Sequence, residues 1–214
     1  MPVAAMAPVR LALAFCAAAS ACGRSGGSRR IDTTFEDRFE RGRLGPDWLD
    51  TGGDYSLVDG HLRVRGARNH PLWLRRPLPR DVRIEFRGRS QSPDGDIKVE
   101  VFGDGRSFAT EDSYTATSYV LVFGGWRNTL NVLARMDEHG DDRLVRRAPS
   151  VVPGRWYRFE VERVGAKISW WIDGAPMHEL DDAEPLEGQG HEHFAFNDWD
   201  AELWFDDLVV RALP

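Results

Sequence analysis

In the segment VRIEFRGRS, residues 82–90, the apolar Val82, Ile84 and Phe86 alternate with Arg83, Glu85, Arg87 and Arg89. Side chains of an extended chain point to opposite faces in turn, so this segment buries its apolar set on one face only as a β-strand. The pattern recurs in DIKVEVFGD, with Ile97, Val99 and Val101 against Asp96, Lys98 and Glu100, and in WYRFEVERVG, with Tyr157, Phe159 and Val161 against Arg158, Glu160 and Glu162. Past residue 34 no long stretch has helical apolar spacing, and Gly, Pro and Asp separate short β-rich runs. Asp-Gly in VDGHL and IDGAP predicts hairpin turns. Strands are expected at 35–39, 55–58, 61–66, 72–78, 82–90, 96–103, 118–124, 129–136, 142–148, 156–164, 167–173, 176–180, 192–197 and 202–212. So many short strands without an internal repeat predict an all-β, two-sheet antiparallel sandwich rather than a propeller or solenoid.

Residues 34–214 are long enough for one domain with a substantial core. The formal charge is −6, which becomes −7 without residues 1–21 because that segment holds Arg10 and no acid. An acidic chain of this kind is a poor partner for nucleic acid, and none is expected. Of the 28 basic residues only Lys98 and Lys167 are lysines, a coding bias rather than a recognition patch. The eight tryptophans supply either core area or stacking platforms. A monomer is expected.

Both cysteines lie in ALAFCAAASACGRSGGSRR, residues 12–30. Residues 11–21 form a small, apolar run after Arg10, the layout of a secretory signal peptide and far short of the ~20 residues of a spanning helix. Ala19, Ser20 and Ala21 before Cys22, with Gly23 after it, resemble the lipobox of bacterial lipoproteins. That resemblance implies a signal peptide at 1–21, lipidation of Cys22, a flexible tether over 22–33, and a lipid-anchored place in the bacterial cell envelope, periplasmic or outer-surface. The domain at 34–214 then has no thiol and no disulfide.

The ends of the domain, FEDRFERGRLGPDW and AELWFDDLVV, resemble the first and last strands of concanavalin A-like jelly-roll domains. YSLVDGHLRV, VVPGRWYRFEVERVGAKISWWIDG and GHEHFAFNDWDAELWFDDLVV carry further elements of that pattern in the same order. Within the superfamily the chain is similar to 3-keto-disaccharide hydrolase-like domains, which stand beside the family 16 glycoside hydrolases. The resemblance implies a jelly roll whose first and last strands pair and a glycan or oligosaccharide partner; it also places Asp37 and Asp207 where many such domains hold a structural Ca²⁺ between those strands, the alternative being an unoccupied acidic pair at the surface. It fixes the fold more than the activity, because the fold carries lectins, hydrolases and inert interaction domains.

A family 16 retaining mechanism needs two carboxylates roughly 5 Å apart, supplied by alternate residues of an E-x-D-x-(x)-E strand. Here Asp96 and Glu100 share a face, but Lys98 stands in place of the middle acid and Gly95 in place of the leading glutamate, so the motif is not met. A solvated charged face is the plainer reading of this strand. FGGWRNTLNVLARMDEHGDDR brings together Trp126, Asn128, Arg135, Glu138 and His139, a stacking ring with groups that grip hydroxyls and move protons. Glu138 and His139 are the candidates for acid/base work; the alternative is a structural turn with Trp126 as a core plug. His191 and His193 alternate on one strand, too few for a transition-metal site by themselves and placed to line a sugar cleft, with Trp199 in its wall. Two functions remain open: a carbohydrate-binding domain with or without hydrolase activity, and a non-catalytic structural or protein-interaction lipoprotein. A catalyst should bury an acid in a cleft and raise its pKa; a binder should show ordinary carboxylates.

Overall fold

A computed structural model describes residue 1, residues 29–111 and residues 114–214. The leader, Cys22 and most of the expected tether lie outside those residues, and among the described residues no helix is long and apolar enough to cross a membrane.

The chain folds as two antiparallel sheets, as expected. One has the strand order β13 (Ala175–Asp181), β12 (Lys167–Ile172), β11 (Tyr157–Val164), β6 (Val82–Ser90), β15 (Glu202–Ala212), β4 (His61–Arg65), β3 (Tyr55–Val58). The eighth strand, β1 (Thr34–Asp37), also pairs with β15, Thr34 opposite Arg211 and Asp37 opposite Leu208. The expected pairing of first and last strands is therefore present. The second sheet has the order β10 (Leu144–Arg146), β9 (Leu130–Arg135), β8 (Tyr119–Gly124), β7 (Ile97–Gly103), β14 (His193–Asn197), β5 (Leu72–Leu74), β2 (Trp48–Asp50). Only β2 lacks an expected counterpart.

Between the sheets the strands' apolar faces meet. Phe86 of β6 lies parallel to Phe159 of β11 at 4.7 Å between centroids, and Phe196 of β14 packs against Phe205 of β15 at 4.3 Å. All four rings are buried, in the offset and tilted arrangements that aromatic quadrupoles favour. Strand β6 keeps strict alternation, the face of Val82, Ile84 and Phe86 buried and the face of its arginines half-exposed.

Strand β7 departs from expectation. All seven of its residues are buried, including Lys98 at 1% and Glu100 at 0% exposure, so the reading of a solvated charged face is corrected. The loop between β7 and β8 folds over this face, fixed by the Trp73 indole donating to the Ser107 carbonyl at 2.9 Å and by Ala109 N–H donating to Asn69 O at 2.8 Å. Period-two alternation separates two faces but does not say whether the outer one is covered.

The acids expected to hold Ca²⁺ do not fit that ion. The Asp37 carboxylate accepts both terminal nitrogens of Arg41, at 2.5 and 2.8 Å, the Trp48 indole N–H at 2.8 Å and the Phe39 N–H at 2.9 Å. These donors hold its pKa below the ordinary value against the opposing effect of burial, and a guanidinium already occupies the place of a cation. Asp207 turns to Arg87, 3.3 Å away, instead of to Asp37. Ion-pair and indole bonds of Asp37 to Arg41 and Trp48 tie the chain's first strand to the core.

After β8 the backbone enters a left-handed turn through Gly124, Trp126, Arg127 and Asn128, with φ of 76°, 50°, 58° and 61°. Left-handed conformation costs roughly 1–2 kcal/mol per non-glycine residue, so the turn must be held from outside. Asn128 does this: its amide donates to Val151 O at 2.7 Å and to Pro93 O at 3.2 Å, while its oxygen accepts Val151 N–H at 2.7 Å. Gly95 is required beside it, because a Cβ there would lie 2.5 Å from the Gly124 carbonyl oxygen. Asn128→Ala leaves the Val151 peptide unsatisfied and is expected to cost about 2 kcal/mol, read as a drop of roughly 4–8 °C in Tm.

Candidate functional site

The outer face of the second sheet carries a cleft of about 800 Å³. Its floor is β7; one wall is the loop after β14, with Trp199 and Asp200; the other joins the left-handed turn to the loop after β9, bringing Trp126 beside Glu138 and His139. Asn69, Tyr114, Asp94 and Arg127 complete much of the lining.

Lys98 rises from the floor as a buried ammonium. Its Nζ sits 2.7 Å from Glu138 Oε2 and donates to Asn69 Oδ1 at 2.6 Å. Burial disfavours the charge, yet the carboxylates of Glu138 and Asp96 outweigh it and leave the Lys98 pKa above its ordinary value. Two residues along, Glu100 is enclosed by three donors: Ser118 Oγ–H at 2.6 Å, Asn197 Nδ2–H at 2.7 Å and the Tyr114 hydroxyl at 3.2 Å. Burial still pushes the Glu100 carboxyl up. Asn197 also approaches Asn69 Oδ1 at 3.4 Å, so Glu100, Asn197, Asn69, Lys98 and Glu138 form one continuous polar network. A network of this kind fixes the lysine head in one position.

Asp96 stands at the head of β7 with φ of 64°, its Oδ2 accepting the Trp199 N–H at 3.1 Å. Burial pushes its pKa up to about 7, with Asp198 and Glu138 adding to the rise and Lys98 opposing it. Asp198 lies beneath, fully buried, accepting the N–H groups of Ala201 at 2.9 Å and Ala67 at 3.2 Å. Burial moves Asp198 to about 6. The cleft thus holds a carboxyl poised near neutrality beside a fixed cation, the arrangement general acid–base chemistry requires.

On the outer wall the Trp126 indole meets the His139 ring edge-to-face at 5.4 Å, and the Arg143 guanidinium lies 5.3 Å from the indole centre. His139 is two-thirds exposed and its Nε2 is 3.9 Å from Glu138 Oε1. Trp199 is 40% exposed, with Arg68 against its ring at 5.4 Å. Two indoles, an imidazole and a phenol therefore border a charged floor.

Of the residues singled out in the sequence, Trp126, Glu138, His139, Asp96 and Trp199 converge on this cleft. Glu100 lies beneath its floor as a buried partner in the network. Asn128 is spent on the backbone of Val151 and Pro93 and is not part of the lining. Arg135 points to the opposite side, donating to Asp182 Oδ2 at 3.0 Å and Glu184 O at 3.1 Å, because it shares strand parity with the core residue Leu133. His191 and His193 are apart from the cleft, their Nδ1 atoms bonded to the carbonyls of Thr117 and Leu74, each at 2.8 Å. Among the described residues no three His, Cys, Asp or Glu side chains are arranged to hold a metal. Lys98 is visible in the sequence only as a departure from a carboxylate motif, and Asn69 and Tyr114 carry no local signal, whereas Asp198 falls in the turn beside Trp199 expected to wall the cleft; Lys98 and Asp96 at alternating positions are the available clue.

A family model described as a 3-keto-alpha-glucoside-1,2-lyase-like domain matches residues 41–211. The chain is 25% identical over 143 residues to an extracellular exo-alpha-L-arabinofuranosidase of Streptomyces chartreusis, matching 65% of this chain but 16% of that protein, so it spans about a sixth of the relative's length. In structure it is similar to the carbohydrate-binding module CBM66 from Bacillus subtilis, with a TM-score of 0.55, 14% identity and coverage of 78% of this chain and 96% of that one. A lichenase from a mouse hindgut metagenome gives 0.60 at 12% identity, covering 84% and 99%, and a Bacillus licheniformis beta-glucanase 0.57 at 11%, covering 89% and 100%. At such identities these structures show the fold alone, a two-sheet jelly roll.

Proposed function

The chain belongs to the 3-keto-alpha-glucoside-1,2-lyase-like domain family, and from that membership we propose that its cleft binds a 3-keto-glucoside and eliminates across C1 and C2. The single observation that supports this is the placement of Asp96 beside the buried Lys98–Glu138 pair in an aromatic-walled cleft. A ketone at C3 acidifies the neighbouring C2–H. Asp96 accepts that proton and the electron pair moves toward the C3 carbonyl oxygen. An ammonium has three N–H groups and Lys98 uses two, which leaves one for that developing oxyanion. The pair returns to form the C1–C2 double bond as the C1–O bond breaks, and His139 protonates the departing oxygen. Glu138 positions Lys98 and Trp126 stacks on the sugar. The products are an unsaturated keto sugar and an alcohol.

A base with a pKa of about 7 must be deprotonated to act, so the acid limb of kcat/KM for a 3-keto-glucoside is expected to rise through about pH 7. A profile flat from pH 5 to 9 would remove Asp96 from that role. Trp126→Ala is expected to weaken binding of the same sugar about tenfold with the fold intact, since stacking on one ring is worth on the order of 1 kcal/mol or more; unchanged affinity by calorimetry would move the sugar elsewhere.

A second reading, binding without turnover, is supported by the arabinofuranosidase match, in which a domain of this size forms a minor part of a larger enzyme. The pH profile separates the two. The extracellular character of that relative and the Cys22 motif together support export and lipid anchoring of this chain. Cys22→Ser should then abolish labelling by radioactive palmitate.

A further inference from the structure

We propose that the carboxylates at the rim of the cleft form a charge filter, selecting neutral and amine-bearing sugars over acidic ones; this rests on the carbohydrate reading of the same cleft. The lining has five carboxylates, Asp94, Asp96, Asp137, Glu138 and Asp200, against two cations, Lys98 and Arg127. The cations are not equivalent. Lys98 is 1% exposed and held by Glu138 and Asn69, so its charge is already balanced. Arg127, the exposed cation of the lining, stands on the left-handed turn with three exposed acids, Asp94, Asp137 and Asp200, while Arg143 and Arg68 lie against the rings of Trp126 and Trp199.

A concave wall with an excess of one sign focuses field into the space where ligand must sit. A uronate entering the cleft meets Asp94, Asp137 and Asp200 at its rim. An ammonium sugar meets the exposed rim acids Asp94, Asp137 and Asp200, which favour a cation. Specificity here comes from repelling the wrong ligand as much as from holding the right one. The rim acids are placed for this without serving the proton transfer: Asp137 accepts the His139 N–H at 2.9 Å and Asp200 lies 3.5 Å from Arg68, and neither touches Lys98.

The test uses glucose-, glucosamine- and glucuronate-terminated disaccharides on one linker, with binding to the whole protein measured at low salt and at about 1 M salt, where the Debye length is ~3 Å. Glucose and glucosamine termini are expected to bind, and the glucuronate terminus about tenfold more weakly at low salt, the gap closing at high salt. Asp94→Asn/Asp137→Asn/Asp200→Asn should close it at low salt and leave the glucose terminus unaffected. Equal binding of glucuronate and glucose at low salt overturns the filter, as does a gap that survives the triple substitution. Failure of all three sugars to bind overturns instead the carbohydrate reading on which the filter rests.

Discussion

Asp96→Asn is expected to lower turnover of a 3-keto-glucoside by about 10²–10⁴-fold, the usual worth of a positioned general base, and at the same time to raise the melting temperature at pH 8. The two effects share one cause. Burial and the neighbouring acids lift the folded-state pKa of Asp96 from an ordinary carboxylate value to about 7. Between those values the folded protein binds a proton that the unfolded chain lacks, so the stability Asp96 contributes is present at low pH and is lost as pH rises through about 7. At pH 8 the wild type carries a carboxylate in a place that disfavours it. Asparagine keeps the shape and the acceptor for the Trp199 N–H while removing the charge. A gain of roughly 2–4 °C or more at pH 8, vanishing near pH 4, is the expected pattern in thermal unfolding, since about 1 kcal/mol moves Tm by that amount in a domain of this size. Equal loss of stability at both pH values would mean that Asp96 serves structure alone.

Lys98→Met is expected to be the most destabilising single change in the cleft, about 3–5 kcal/mol, because it removes one partner of a buried ion pair and leaves the others unbalanced. Glu138, Asp96 and Glu100 all act on the lysine charge. Methionine matches the stem but offers nothing to Glu138 or to Asn69 Oδ1. Denaturant unfolding at pH 8 measures the loss. Part of it should be regained near pH 5, where the orphaned carboxylates take up protons; no recovery on acidification would show that lost packing, not unpaired charge, sets the cost.

The fold was legible because a strand's alternation is local: Val82, Ile84 and Phe86 declare their shared face within five residues, and the first-to-last pairing of β1 with β15 followed from the resemblance of the two ends. The site was legible only in part. Trp126, Glu138 and His139 lie close in sequence on a turn and a loop, and they meet in space. Arg135 and Asn128 come from the same stretch yet serve structure, since strand parity sends one toward the core side and backbone strain claims the other. Lys98 was read as the flaw in a carboxylate motif. In the folded chain it is the cation around which the acids are arranged, and its partner Asn69 comes from 29 residues away. Such convergence depends on which loops cover a sheet face, which no period in the sequence records.

The most direct measurement is proton NMR of a 3-keto-glucoside in D₂O with wild type and Asp96→Asn. Loss of the C2–H signal together with appearance of the unsaturated keto sugar in the wild type, and its near absence in the variant, is the result expected. An unchanged C2–H signal with wild type, or equal loss with the variant, contradicts the assignment of Asp96 as the base of an eliminating cleft.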